Sequence, residues 1–248
     1  MDNIRIVVII GASSGIGREI ADIYARRGCT LHVCARSIER LESFAARYPG
    51  LVTVHPLDVD APDAAARFAG ILRTSGDVDA VINCAGIGSY NPELDCDTDI
   101  KTVSTDCLGF TAIADTAFNY LAASGRPARF AAISSIAGVR TLGMSLSYSA
   151  SKRFQNAYLE GLDQLRRMRK LPIAITDIRP GFTATPLLDS SRSYPMLMQP
   201  DHVARLAVRA IDRKKRVAVI DRRYSLLVAF WRLIPRWLWV RLPIRFSI

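Results

Sequence analysis

The sequence offers little to a metal ion or a disulfide framework. Its five cysteines, Cys29, Cys34, Cys84, Cys96 and Cys107, form no CxxC pair and no metal-ligand spacing, and their odd number argues against a set of bridges. A reducing, cytoplasmic setting is expected. No stretch reaches the ~18 uninterrupted apolar residues of a membrane span, so none is expected to cross a bilayer. The apolar run in MDNIRIVVIIGASSG breaks at Gly11 and has no small-residue cleavage pattern behind it, which predicts a buried first strand rather than a signal peptide. Internal repeats, low-complexity tracts and linkers are absent before residue 220, so residues 1–221 read as one domain. Carboxylates are absent beyond Asp221, whereas Arg222, Arg223, Arg232, Arg236, Arg241 and Arg245 follow, and much of the formal charge of +10 therefore sits in the tail. Such an excess suits an anionic partner. No recognition motif or basic and aromatic strand pattern accompanies it, which argues against nucleic acid.

What is present is a regular alternation. The 248 residues are half hydrophobic, ample for a core. Short apolar runs (IRIVVII, TLHVCAR, VDAVINCAG, ARFAAISS, IAITDIRPG) are separated by helical patterns such as REIADIYARRG, where Ile20, Ile23 and Tyr24 share one side and Gly28 supplies a stop. Strands apolar throughout, divided by amphipathic helices, predict an α/β fold: a single doubly wound parallel sheet of Rossmann type with helices on both faces.

Two stretches carry chemistry. The first strand runs into GASSGIG, Gly11–Gly17, and a helix starts at once. Glycines permit a tight turn and close backbone approach, and a helix amino terminus offers free N–H groups and a positive dipole end to a pyrophosphate. A glycine turn can be purely structural, but a strand before it and a helix after it favour a dinucleotide. In SYSASK, Tyr148 stands four residues before Lys152, on the same face if the segment is helical. A phenol has a pKa of about 10, and a neighbouring cation favours the phenolate. An exposed tyrosine beside a solvated lysine would show the same spacing, so the pair gains meaning only from the rest of the chain.

The spacing GxxxGxG, followed in order by Asn83-Cys84-Ala85-Gly86, Ser134-Ser135, Tyr148 with Lys152, and Arg179-Pro180-Gly181, resembles the short-chain dehydrogenase/reductase family over roughly residues 4–220. The resemblance implies that Tyr148 gives or takes the hydroxyl proton, that Ser135 holds the substrate oxygen, and that Lys152 lowers the phenol pKa and bonds the nicotinamide ribose. It assigns cofactor contacts to Gly11, Ser13, Ser14, Gly15, Ile16 and Gly17 in the turn, to Asp58 and Val59 at the adenine, to Asn83, Ala85 and Gly86, and to Pro180, Gly181 and Thr185 around the carboxamide. Ser134 reads instead as a strand cap. Homodimers or homotetramers are common in the family and are expected here. The complete Ser135, Tyr148 and Lys152 set speaks against a non-catalytic nucleotide sensor or scaffold.

One position departs from the pattern. Thr105-Asp106-Cys107-Leu108-Gly109 places Asp106 where the family has the asparagine whose main-chain carbonyl holds a relay water. A main-chain carbonyl survives this change, but a carboxylate near Lys152 would stabilise its charge and blunt its effect on Tyr148, giving an altered pH profile. The second strand ends in Ala35-Arg36, without the acidic residue that NAD-preferring relatives use on the ribose. Arg36, helped by Ser13, suits a 2′-phosphate, so NADP(H) is expected before NAD(H). Residues 182–200 occupy the family's substrate lid, and Leu187, Leu188, Met196, Leu197 and Met198 suit an apolar carbonyl substrate.

The tail, 222–248, contains Trp231, Trp237 and Trp239 among leucines and arginines, interrupted by Pro235 and Pro243. It predicts two short amphipathic helices, near 222–234 and 235–242. Two readings stand open: peripheral contact with the inner face of the cytoplasmic membrane, or packing against another subunit. The pattern IPRxxxxRLPI also resembles the tail of short-chain reductases that reduce a decaprenyl-phosphate-linked 2-ketopentose, which makes a lipid-linked substrate an alternative.

Overall fold

Strands that are apolar on both sides must be covered on both sides, and this sets the architecture. The computed structural model describes residues 4–189 and 191–244; Arg245 of the tail and Ser190 of the 182–200 segment lie outside the described residues. The elements run β1 (Ile6–Ile10), α1 (Gly15–Arg26), β2 (Thr30–Ala35), α2 (Ile38–Ala45), β3 (Val52–Pro56), α3 (Ala64–Thr74), β4 (Ala80–Asn83), α4 (Cys96–Val103), α5 (Phe110–Ser124), β5 (Ala128–Ile133), α6 (Leu146–Met168), β6 (Ile173–Arg179), α7 (Pro200–Asp212), β7 (Val217–Val219), α8 (Arg222–Leu233) and α9 (Arg236–Trp239). A π-helical turn, Ser104–Gly109, joins α4 to α5.

The strands form one parallel sheet in the order β3-β2-β1-β4-β5-β6-β7. The two-residue period of β1 divides the core: Val7 and Ile9 face a cluster with α1, α2 and α7, while Val8 and Ile10 face one with α3, α5 and α6. Helix α1 buries Ile20 and Tyr24 as its pattern predicts, and Gly28 follows it at φ +77°.

The chain leaves β1 towards β2 on one side and reaches β4 on the other, which opens a crevice at the carboxyl ends of these strands. Gly11, Arg36, Cys84, Ser134 and Pro180 all follow strand ends on this edge. Of the two predicted tail helices, α8 matches its range and α9 is only one turn, because prolines at 235 and 243 bound it. Tyr224, Val228 and Trp231 of α8 are buried in the same core cluster as α1 and α7.

Candidate active site

The crevice is a cavity of about 870 Å³. At one end the glycine turn is shaped by close contacts. A Cβ on Gly11, which has φ +78°, would lie 2.6 Å from the Ala85 nitrogen, and one on Gly17 would lie 2.3 Å from the Gly11 carbonyl oxygen. Both positions exclude side chains, so backbone stays exposed to the cavity. The hydroxyl of Ser14 makes no capping bond and α1 has no acidic residue in its first turn, so its first amides meet the cavity without a side-chain acceptor. A pyrophosphate fits such a terminus. Ser13, Ser14, Gly15 and Ile16 line this end; Arg36, Asp58 and Val59 line the stretch beyond it. Arg40, which the sequence pattern did not single out, lines it beside Arg36. A Cβ on Gly15 would come within 3.0 Å of Thr185 Cγ2, which sets Thr185 over the turn.

At the other end Ser135, Tyr148 and Lys152 reach the same cavity. Ser134 also lines this end, but its hydroxyl is already engaged: Oγ donates to Asp177 Oδ1 at 2.5 Å and accepts from Asn156 Nδ2 at 2.8 Å, in the strand-end role expected of it. Asp177 also pairs with Arg179 at 2.6 Å, anchoring the start of the Arg179-Pro180-Gly181 loop. Ser135 Oγ accepts from the Ala137 amide at 3.1 Å and donates to the Pro180 carbonyl at only 3.4 Å, a long bond that a substrate oxygen can replace.

Helix α6 holds Tyr148 and Lys152 on one face, with Lys152 Nζ 5.5 Å from the tyrosine ring centre. The π-helical turn brings Asp106, fully buried, to 3.0 Å from Nζ. Its other oxygen accepts from the Ile87 amide at 2.8 Å, and Gly86 makes room: a Cβ there would sit 2.9 Å from Nζ and 3.1 Å from Asp106 Oδ1. Burial works against the charged form of Lys152, but the Asp106 carboxylate and the Tyr148 phenol more than offset it and hold the ammonium above the ordinary lysine range. The Asp106 carbonyl, expected to hold a water, accepts from Gln155 Nε2 at 2.9 Å, and Gln155 Oε1 accepts from Nζ at 3.1 Å. A glutamine amide thus bridges the two groups.

Some expected contacts fall outside the cavity wall. Asn83 and Asp106 do not line it; Asn83 Oδ1 accepts from the Ala85 amide at 3.0 Å and so shapes the wall from behind. Leu187, Leu188 and Met196 line it as expected, but Leu197 points to solvent and Met198 into the core. Sequence reasoning did not find Tyr224, which reaches the site from 42 residues beyond Phe182. Its hydroxyl accepts from the Phe182 amide at 3.1 Å and lies 3.0 Å from the Pro195 carbonyl, tying α8 to the 182–200 loop. Its ring occupies the space of a side chain at Gly181, where a Cβ would lie 2.2 Å from Cζ. Gly181→Ala is expected to displace the ring and to cost about 1–3 kcal/mol, read as a Tm lowered by roughly 2–4 °C for each kcal/mol. An unchanged melting curve would show that the ring does not need this space.

Among known proteins, the family described as short chain dehydrogenase matches residues 5–195. Dehydrogenase/reductase SDR family member 7B of Bos taurus is 31% identical, with 96% of this chain and 79% of that protein aligned. A short-chain dehydrogenase from Sphingobium yanoikuyae solved with NADPH superposes with a TM-score of 0.78 at 23% identity, covering 94% of this chain and 97% of that one. A short-chain dehydrogenase/reductase from Burkholderia phymatum solved with NAD gives 0.81 at 18% identity, covering 92% of each chain.

Proposed function

The chain belongs to the short-chain dehydrogenase/reductase family of oxidoreductases, and on that premise we propose that it is an NADP(H)-dependent carbonyl reductase/alcohol dehydrogenase for an apolar substrate. One observation carries the reading: Ser135, Tyr148 and Lys152 open into the same cavity as the glycine turn and the uncapped terminus of α1. A nicotinamide held in this cavity would supply or accept the hydride. Tyr148 Oη delivers the proton to the substrate oxygen in reduction and takes it back in oxidation. Ser135 Oγ donates to the same oxygen and orients it. An ammonium has three donors; Asp106 and Gln155 occupy two on Lys152, leaving one for the cofactor ribose.

The preference for NADP(H) rests on β2 ending at Ala35 without a carboxylate, next to two arginines on the cavity wall, Arg36 and Arg40. Charge-assisted bonds contribute about 1.5–3 kcal/mol each. The double variant Arg36→Ala/Arg40→Ala is therefore expected to raise the Kd for NADPH by at least an order of magnitude and to leave that for NADH within a few-fold. Equal weakening for both cofactors in a fluorescence titration would remove the arginines from the 2′-phosphate. The apolar substrate is supported by Leu142, Leu187, Leu188, Met196, Leu227 and Trp231 on the cavity wall. NADPH oxidation across ketones of increasing chain length tests this, with the specificity constant expected to rise with length and a preference for small polar ketones counting against it.

A further inference from the structure

Helix α8 is apolar on two opposite faces. Tyr224, Val228 and Trp231 form one row, buried against the body. Leu226, Phe230 and Leu233 repeat the same spacing from two residues on, about half a turn away at roughly 100° per residue, and are 73%, 61% and 79% exposed. A surface helix ordinarily turns a polar face to water, so a second apolar row calls for a cover of its own. The outer row continues beyond Pro235 through Trp237 and Val240, which are 60% and 79% exposed. Arg222, Arg223, Arg232, Arg236 and Arg241 stand exposed around it. No carboxylate follows Asp221, which already pairs with Arg223 at 2.9 Å. The Arg241 guanidinium lies 5.5 Å from the Trp237 ring centre.

We propose that this outer face docks on an anionic lipid bilayer and that a lipophilic carbonyl substrate passes from there to the cavity behind the same helix. The second half rests on the apolar-substrate reading above. Tyr224, Leu227 and Trp231 of the inner side line the cavity, so a single helix separates the outer apolar row from the site. The Tyr224 hydroxyl links that helix to the lid, so docking bears on the cavity entrance. Among the described residues no helix is long and apolar enough to cross a membrane, and the face therefore lies on the surface.

Charge decides between a bilayer and a second copy of the chain. A two-fold contact sets the patch against itself. It would bring arginines against arginines in a segment whose carboxylates end at Asp221, and like charges oppose such a contact. Anionic headgroups supply the missing charge, and tryptophan with arginine suits the depth of those headgroups.

The test is flotation of the full chain with vesicles of phosphatidylcholine, with and without an equal share of phosphatidylglycerol. The protein is expected to float with the anionic vesicles and to remain below with the neutral ones. Two variants follow it: Leu226→Ser/Phe230→Ser/Leu233→Ser, which changes only exposed side chains, and Arg232→Gln/Arg236→Gln/Arg241→Gln. Partition into anionic vesicles is expected to fall by on the order of a hundredfold for the arginine variant and at least tenfold for the apolar one. Both should keep the parent's kcat/KM for a short water-soluble ketone and lose it in proportion to binding for a ketone held in the vesicles. A parent that stays below with both vesicles overturns the docking. A parent dimer that the apolar variant converts to monomer, with flotation unchanged, reassigns the face to a subunit contact. Flotation with no preference for vesicle-borne ketone upholds docking and overturns only the delivery of an apolar substrate.

Discussion

Replacing Tyr148 by Phe is expected to lower kcat for ketone reduction by roughly 10²–10⁴-fold, the range for loss of a positioned general acid, while the Kd for NADPH rises by no more than about tenfold, the value of one neutral hydrogen bond. The structure makes this a clean substitution. Gly88 approaches the ring so closely that a Cβ there would lie 2.5 Å from Tyr148 Cδ2, and Lys152 Nζ stands 5.5 Å from the ring centre. A phenylalanine ring keeps these contacts and removes only the hydroxyl. Fluorescence titration and turnover, measured on the same preparation, separate the two effects. A variant that still reduces ketones at near the parent rate would move the proton donor elsewhere.

The second large effect concerns Asp106. Asp106→Ala leaves the buried Lys152 ammonium without its counter-charge and the Ile87 amide without its acceptor. Breaking one side of a buried pair costs about 3–5 kcal/mol, which should appear as a large fall in Tm. Asp106→Asn keeps an oxygen for Ile87 and removes the charge, so it isolates the electrostatic role. In the parent, the Asp106 carboxylate is a main reason why the Lys152 charge persists above the ordinary lysine range. Stability from a group raised in this way is present in full below the unfolded lysine value, about 10.4, and is lost as pH rises through the folded one. Without the carboxylate the largest influence opposing burial is gone, and the ammonium gives up its proton at lower pH. The charge beside Tyr148 is then lost sooner, so the alkaline limb of the reduction profile should move to lower pH by roughly one unit or more. A pH–rate curve that superposes on the parent's would eliminate the electrostatic role.

The sequence carried the fold because its signals are local. Strand runs apolar on both sides, the spacing of Ile20 and Tyr24 in α1, and Gly28 after it each require only a few neighbouring residues, and each appears in the structure. The order of the motifs pointed to Ser135, Tyr148 and Lys152 as a set, and the structure brings all three to one cavity. The Asp106–Lys152 contact was foreseen as a neighbourhood, but the π-helical turn that aims the carboxylate and the glutamine that takes its carbonyl were not. Gln155 lies three residues from Lys152 and 49 from Asp106, so only folding shows that it bridges them. Arg40 was readable as one helical turn beyond Arg36, yet arginines at a helix start are commonly surface residues. Tyr224 gave no signal, because its partners at Phe182 and Pro195 come from a loop whose path no periodicity describes.

The most direct test of the central claim is a single-turnover experiment on purified protein: saturate it with NADPH, add a long-chain ketone, and follow cofactor absorbance and alcohol formation together. One alcohol formed for each NADPH consumed, abolished by Tyr148→Phe, is the predicted result. Failure to bind either NADPH or NADH, or binding with no hydride transferred to any ketone offered, would contradict the reading of this site as a carbonyl reductase.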